Sequence, residues 1–188
     1  MAADVKNKMI ERTAVLLAKK GLQGTSFSEI LEASGAPRGS LYHHFPGGKN
    51  ELILAALELA GQRAIAAMAV HRGKPANEVA AAFIGLWREV LTRAHFTAGC
   101  AVVAVTVATD DEHALAAASA TFAEWQKLLA DLFTAGGVAP ARALALATNL
   151  ISACEGAVIL ARAEKSLAPL DFVASEQLAA ITAAMERR

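Results

Sequence analysis

Apolar positions recur along this chain at the three- and four-residue spacing of helices that bury one face. Over residues 4–20, Ile10, Ala14 and Leu17 keep that spacing, and Gly21 stands where a left-handed residue ends a helix. Ser26-Phe27-Ser28-Glu29 reads as a capping box that starts a second helix, which carries Ile30 and Leu31 and stops at Gly35. Residues 37–44 predict a short third helix bounded by Pro46-Gly47-Gly48, and a fourth runs from Lys49 to about residue 70. Residues 77–94 are amphipathic, with Phe83, Leu86, Trp87 and Val90 on or near one face. The valine-rich run 100–108 has the composition of a strand but no second strand to pair with, so a buried helix is expected. Asp110-Asp111-Glu112 put acids where a helix N-terminus favours them, and that helix stops at Gly136-Gly137. Pro140 suits the first turn of an eighth helix to about residue 164, and Pro169 and Asp171 open a ninth to about 185. The pattern predicts an all-α chain of about nine helices.

Composition narrows the class. Alanine supplies 45 of the 188 residues, which favours helices in close contact. The longest run without Asp, Glu, Lys or Arg, residues 94–109, falls short of the about 18 apolar residues of a membrane span. The first eight residues hold charges and no apolar core of a signal peptide, so a cytoplasmic location and no membrane partner are expected. Cys100 and Cys154 form no CxxC or Cys/His cluster and read as buried thiols rather than a disulfide or redox pair. Net charge is zero but unevenly spread. Residues 1–72 hold nine Lys/Arg against six Asp/Glu, whereas residues 73–188 hold nine against twelve. A positive head on a negative body fits a chain whose first third alone meets phosphates.

The two short helices joined at Ala33-Ser34-Gly35-Ala36 describe a helix-turn-helix, with Gly35 supplying the left-handed residue of the turn. Ile30, Leu31, Leu41 and Phe45 would pack the pair onto the first helix. The second helix then exposes Arg38, Gly39, Ser40, Tyr42 and His43, donors for base edges and phosphates around a glycine that admits close approach to a groove. On spacing alone, an ordinary helical hairpin fits equally well.

The residues themselves carry more. Thr25-Ser26-Phe27-Ser28-Glu29-Ile30, then Gly35, then Gly39-Ser40-Leu41-Tyr42-His43-His44-Phe45, then Lys49 and Leu52, resemble the signature of the TetR family of repressors over about residues 8–60. The resemblance implies a DNA-binding domain at 1–48, with residues 37–44 as recognition helix in the major groove. It also implies a ligand-binding and dimerisation domain at 49–188. Arg38 and Ser40 are expected to read bases, and Tyr42 and Lys49 to hold phosphates, Lys49 from the start of helix four. With Ser26, Gly39 and His43 they make up the expected DNA-binding set. Pro46-Gly47-Gly48 is one residue longer than the commonest family spacing. Gly99-Cys100, Glu155-Gly156-Ala157 and Leu160-Ala161-Arg162 resemble the LmrA/YxaF-like branch. That likeness implies pairing of helices eight and nine with their copies in a homodimer. Leu144, Ala147, Ile151, Cys154 and Val158, with Ile159 beside them, offer a small aliphatic face for it; burial within one chain is the other reading.

An effector pocket should be apolar with a few polar groups. Phe83, Trp87, Val103, Val107, Phe122, Trp125, Asn149 and Glu155 are the expected ligand-binding residues, against the alternative that the aromatics are core. His113, behind three acids, reads as a solvated neighbour of a helix start. Adjacent His43 and His44 cannot both face one metal on a helix, and no catalytic or phosphate-loop motif occurs, so no enzyme, metal or cofactor is expected. The expected function is repression at a palindromic operator, released by a small, largely apolar effector. The alternative is a helical binding protein without operator-specific DNA binding.

Overall fold

The computed structural model describes residues 2–186. Among these the chain forms nine helices and no strand: α1 (Ala2–Lys20), α2 (Phe27–Ser34), α3 (Arg38–His44), α4 (Gly48–Ala69), α5 (Ala76–Arg93), α6 (Ala101–Thr106), α7 (Glu112–Ala135), α8 (Pro140–Glu164) and α9 (Ala168–Glu186). The breaks fall where local chemistry puts them. Ser26 caps α2, Gly35 ends it in the left-handed conformation at φ 66°, and Pro140 occupies the first turn of α8.

Packing divides the chain into two compact units, Met1–Arg63 with Cys100–Thr121 and Ala64–Gly99 with Phe122–Arg188. In the first, Met9, Ile30, Leu41, Phe45 and Leu52 form a fully buried cluster, with Val5, Ile10, Phe27 and Leu31 packed against it. Each of α1 to α4 contributes to that cluster, so the hairpin α2–α3 is seated on α1. The helix α6 packs on α1 through buried Ala101, Val102 and Val105. It is shorter than the expected run 100–108: the chain leaves the helix at Val107, which is 77% exposed.

In the second unit α8 packs on α9 and α5, and α5 on α9. Arg88 of α5 pairs with Asp171 of α9, and Gln177 Nε2 donates to Asn149 Oδ1 at 2.8 Å. Here one expectation is corrected. Ala147, Ile151, Cys154 and Val158 are buried inside the chain, on the side of α8 that meets α5 and α9. Leu144 and Ile159 are exposed, so the surface open to a second chain is a different stripe of α8. By length and composition alone α4 and α8 are apolar enough to cross a bilayer, although each carries charges; half of that stretch of α8 is buried in the protein.

Candidate nucleic-acid interface

Construction of the site begins at Ser26. Its Oγ accepts from Glu29 N at 3.3 Å, and its own N–H donates to Glu29 Oε2 at 3.0 Å, so both halves of a capping box are closed. Glu29 Oε1 also accepts from Lys20 Nζ at 2.6 Å. The bond from Lys20, then that from the Ser26 amide, lowers the Glu29 carboxyl to about 2 from its ordinary 4.5, and Lys20 is raised in turn. Ser26, although exposed, thus has its hydroxyl committed to starting α2.

Gly35 then turns the chain. Its N–H donates to Leu31 O at 2.8 Å, and Ala36 N donates to Ser34 Oγ at 3.3 Å, which leaves Pro37 extended at the start of α3. With Leu41 and Phe45 pointing into the cluster, helical spacing sends Arg38, Gly39, Tyr42 and His43 outward. All four are exposed, and Ser40 is half-buried. A Cβ added at Gly39 would meet nothing within 4 Å, so the room this glycine gives lies outside the chain. Tyr42 is 69% exposed, its ring 6.3 Å from the ring of Phe27 on α2. Sequence reasoning passed over Phe27 as the prop for Tyr42; the two lie 15 positions apart on different helices.

Lys49 stands in the first turn of α4, half-buried, and its Nζ donates to Leu22 O at 3.4 Å. Glu51 caps the same turn by accepting from Gly47 N at 2.8 Å. Lys6, also unforeseen, sits 5.5 Å from the centre of the Phe45 ring. Arg38, Tyr42 and Lys49 therefore belong to one unit built on one buried cluster.

The expected ligand residues fall in both units. In the second unit Phe83 and Trp87 meet edge to face at 6.5 Å, as do Phe122 and Trp125 at 5.7 Å. Phe83 and Trp125 share a cleft with Met68 and Leu128 whose volume, about 10 Å³, holds at most one water. Trp87 is buried and its Nε1 has no hydrogen-bond partner among the described residues. Glu155 is buried beside Cys154, whose thiol is pushed up to about 12 by burial and by that neighbouring carboxylate. Asn149 is exposed and engaged with Gln177. Val103 is half-buried, and Val107 is exposed where an apolar lining was expected; both belong to the first unit. The reason is the short α6, which turns only Ala101, Val102 and Val105 inward. His113 is exposed, as its acidic surroundings suggest. Among the described residues no group of three or more His, Cys, Asp or Glu is placed to hold a metal ion.

Two elements far apart in sequence do meet. A Cβ at Gly99 would come within 3.0 Å of Arg162 Nη1, and Arg162 Nη2 donates to Thr97 O at 3.4 Å. The lack of a side chain at residue 99 is what lets the α8 arginine reach the segment before α6.

Comparison with known proteins decides the family. The model for bacterial regulatory proteins of the tetR family matches residues 9–56, and that for the LmrA/YxaF-like transcriptional regulator C-terminal domain matches residues 75–176. The chain belongs to the TetR family. An uncharacterized HTH-type transcriptional regulator of Mycobacterium tuberculosis is 39% identical over 175 residues, 89% of each chain. The uncharacterized HTH-type regulator YxaF of Bacillus subtilis is 27% identical over 92% of this chain and 93% of that one. A solved TetR regulator from Chloroflexus aurantiacus superposes with a TM-score of 0.78 at 27% identity, covering 96% of each chain. One from Agrobacterium tumefaciens gives a TM-score of 0.82 at 21% identity over 95% and 97%, a likeness of fold. The TetR family comprises DNA-binding transcriptional regulators and not enzymes, and this chain is one of them.

The Glu29 box gives the TetR head a defined response to acid. A carboxyl held at about 2 in the fold and near 4.5 unfolded contributes stability that is fully present above 4.5 and lost as pH falls through about 2. Thermal unfolding of wild type and Glu29→Gln is expected to differ at neutral pH and to converge towards pH 2. A gap that stays constant across that range would show that the charge of Glu29 is irrelevant.

Proposed function

We propose that this regulator represses transcription in the cytoplasm, binding a palindromic operator as a homodimer, and that a small, largely apolar effector releases it. The observation that carries the reading is the two-sided α3. Leu41 and Phe45 anchor it in a buried cluster, while Arg38, Gly39, Tyr42 and His43 face out. In this reading α3 lies in the major groove, Arg38 and Ser40 read base edges, and Tyr42 and Lys49 hold phosphates. The role of Ser26 is to cap α2 and offer its exposed position to the backbone. Lys49 exchanges its 3.4 Å bond to Leu22 O for a phosphate. In a gel shift with the region upstream of its own gene, Arg38→Ala should lose about 1–3 kcal/mol and relax preference at one base position. Lys49→Ala should weaken all sequences alike and lower the salt slope by about one. Unchanged affinity and base preference in Arg38→Ala would remove it from the readout.

Two half-sites require two recognition helices, and a twofold pair of chains supplies them. Exposed apolar side chains on α8 and α9 support those helices as the interface: Leu144, Ile159 (58% exposed), Leu160 and Phe172 (73% exposed). Ile151 is unsuited to a test, because a charge there would strike the chain's own interior. Ile159→Asp is expected to fold, to run as a monomer in light scattering and to lose operator binding. A variant that remains dimeric would place the interface elsewhere.

Effector binding is supported by Trp87, a buried donor without an acceptor among the described residues, beside Phe83 in a unit otherwise rich in alanine. The small cleft at Phe83 and Trp125 has to open for a ligand to enter, and only an opening that passes Phe83 to reach Trp87 would let an oxygen acceptor satisfy Nε1. Apolar compounds with one acceptor, screened by the fluorescence of the two tryptophans, should yield a hit that weakens operator binding. Reciprocity then requires the operator to weaken the hit by the same factor. Equal affinity for free and DNA-bound protein would leave a constitutive repressor with an aromatic core.

A further inference from the structure

We propose that Asp111 is a positioning residue for the DNA-facing end of α4, acting through Asn50; the proposal rests on Lys49 holding a phosphate. Asn50 follows Lys49 in the first turn of α4, and its Nδ2 donates to Asp111 Oδ2 at 3.3 Å. The two residues are 61 positions apart and lie in the same packing unit.

Two features make this bond matter. The first is that apolar packing under the turn is incomplete on the α7 side, although Leu52 and Ile53 just after it are buried. A cavity of about 40 Å³ lies under it, lined by Leu22, Ile53, Val105 and Ala114 together with Asn50, Thr109 and Asp111. An unfilled space supplies no contact atoms on that side, so packing there holds the turn less tightly than the buried cluster does. Lys49 reaches Leu22 O beside the same cavity, but a lysine on a phosphate gives that bond up. The Asn50–Asp111 bond then holds the turn to the start of α7.

The second feature is that Asp111 is itself fixed. Its Oδ1 accepts from Ala114 N at 2.8 Å, the capping bond of α7, and its N–H donates to Thr109 Oγ1 at 3.1 Å. One carboxylate oxygen caps α7 and the other is thereby aimed at α4. Asp111 thus sets the height of Lys49 by way of Asn50 while touching no DNA. Its negative charge opposes phosphates, which separates positioning from simple electrostatics: loss of charge strengthens DNA binding, and loss of the tie weakens it.

Three variants resolve these effects. Asp111→Asn removes the charge and keeps an oxygen to cap α7, and its Nδ2 donates to Asn50 Oδ1 once the Asn50 amide flips. Asp111→Ser also removes the charge and still caps α7, yet is too short to reach Asn50. Operator binding of full-length protein is measured with thermal unfolding as control. Asp111→Asn should bind at least as tightly as wild type, and Asp111→Ser about fivefold more weakly than Asp111→Asn, at similar melting temperature. In an Asn50→Ala background that difference should vanish. Equal binding by the two Asp111 variants, or a difference that survives Asn50→Ala, overturns the proposal. Amide exchange in the second turn of α4 is read on the same variants without DNA. Faster exchange in Asp111→Ser than in Asp111→Asn supports the tie, and equal exchange refutes it. Wild-type protein that selects no operator refutes Lys49 as a phosphate holder, a failure distinct from loss of the tie.

Discussion

A helix of seven residues has almost no stability of its own, because nucleating it fixes several residues for few hydrogen bonds. Burial of Leu41 and Phe45 in the cluster with Met9, Ile30 and Leu52 is therefore the condition on which α3 exists. It also sets the rotation of α3. With Leu41 and Phe45 inward, helical spacing leaves Arg38, Tyr42 and His43 no direction but outward. Folding of the head and presentation of its polar face are one event. The closed capping box at Ser26 and the left-handed Gly35 add the two ends of α2, so the hairpin angle follows from local chemistry and not from the groove it would meet.

Charge in the head is partly spent inside it. Lys20 is paired with Glu29 and Arg63 with Glu11, each at 2.6 Å, so at least two of the nine cations before residue 73 already have carboxylate partners. Exposed pairs of this kind contribute little to stability, but they subtract from the charge a phosphate feels. The proposed interface then depends on a few well-placed donors more than on net charge, in keeping with a chain of zero formal charge.

The second unit works by different means. Its core is held by close packing of α5, α8 and α9, with alanines such as Ala80, Ala147 and Ala161 at full burial. Small side chains bring helices close and leave little internal space, which agrees with a cleft of only about 10 Å³ at Phe83 and Trp125. That cleft as it stands holds no more than a water. Buried Trp87 Nε1, without a hydrogen-bond partner among the described residues, is a donor that an added acceptor would satisfy.

Much of this was legible in the sequence, and for a local reason. Caps, left-handed glycines and prolines act within four residues, so Ser26 with Glu29, Gly35 and Pro140 marked helix ends that the structure repeats. The outward set on α3 was legible too, because Leu41 and Phe45 dictate it across a single turn. Periodicity showed that α8 has an aliphatic face but not what covers it: Ile151 turned inward within one chain, while Ile159 stayed open. The same limit left open the exposure of Val107 and Asn149, which depends on where a short α6 ends and where α9 lies. The contacts that only the tertiary structure decided join residues far apart: Asn50 with Asp111, Phe27 with Tyr42, Gly99 with Arg162. A repeat of 3.6 residues encodes the direction of a side chain from its own helix, and nothing in it encodes which partner the packing of other helices brings there.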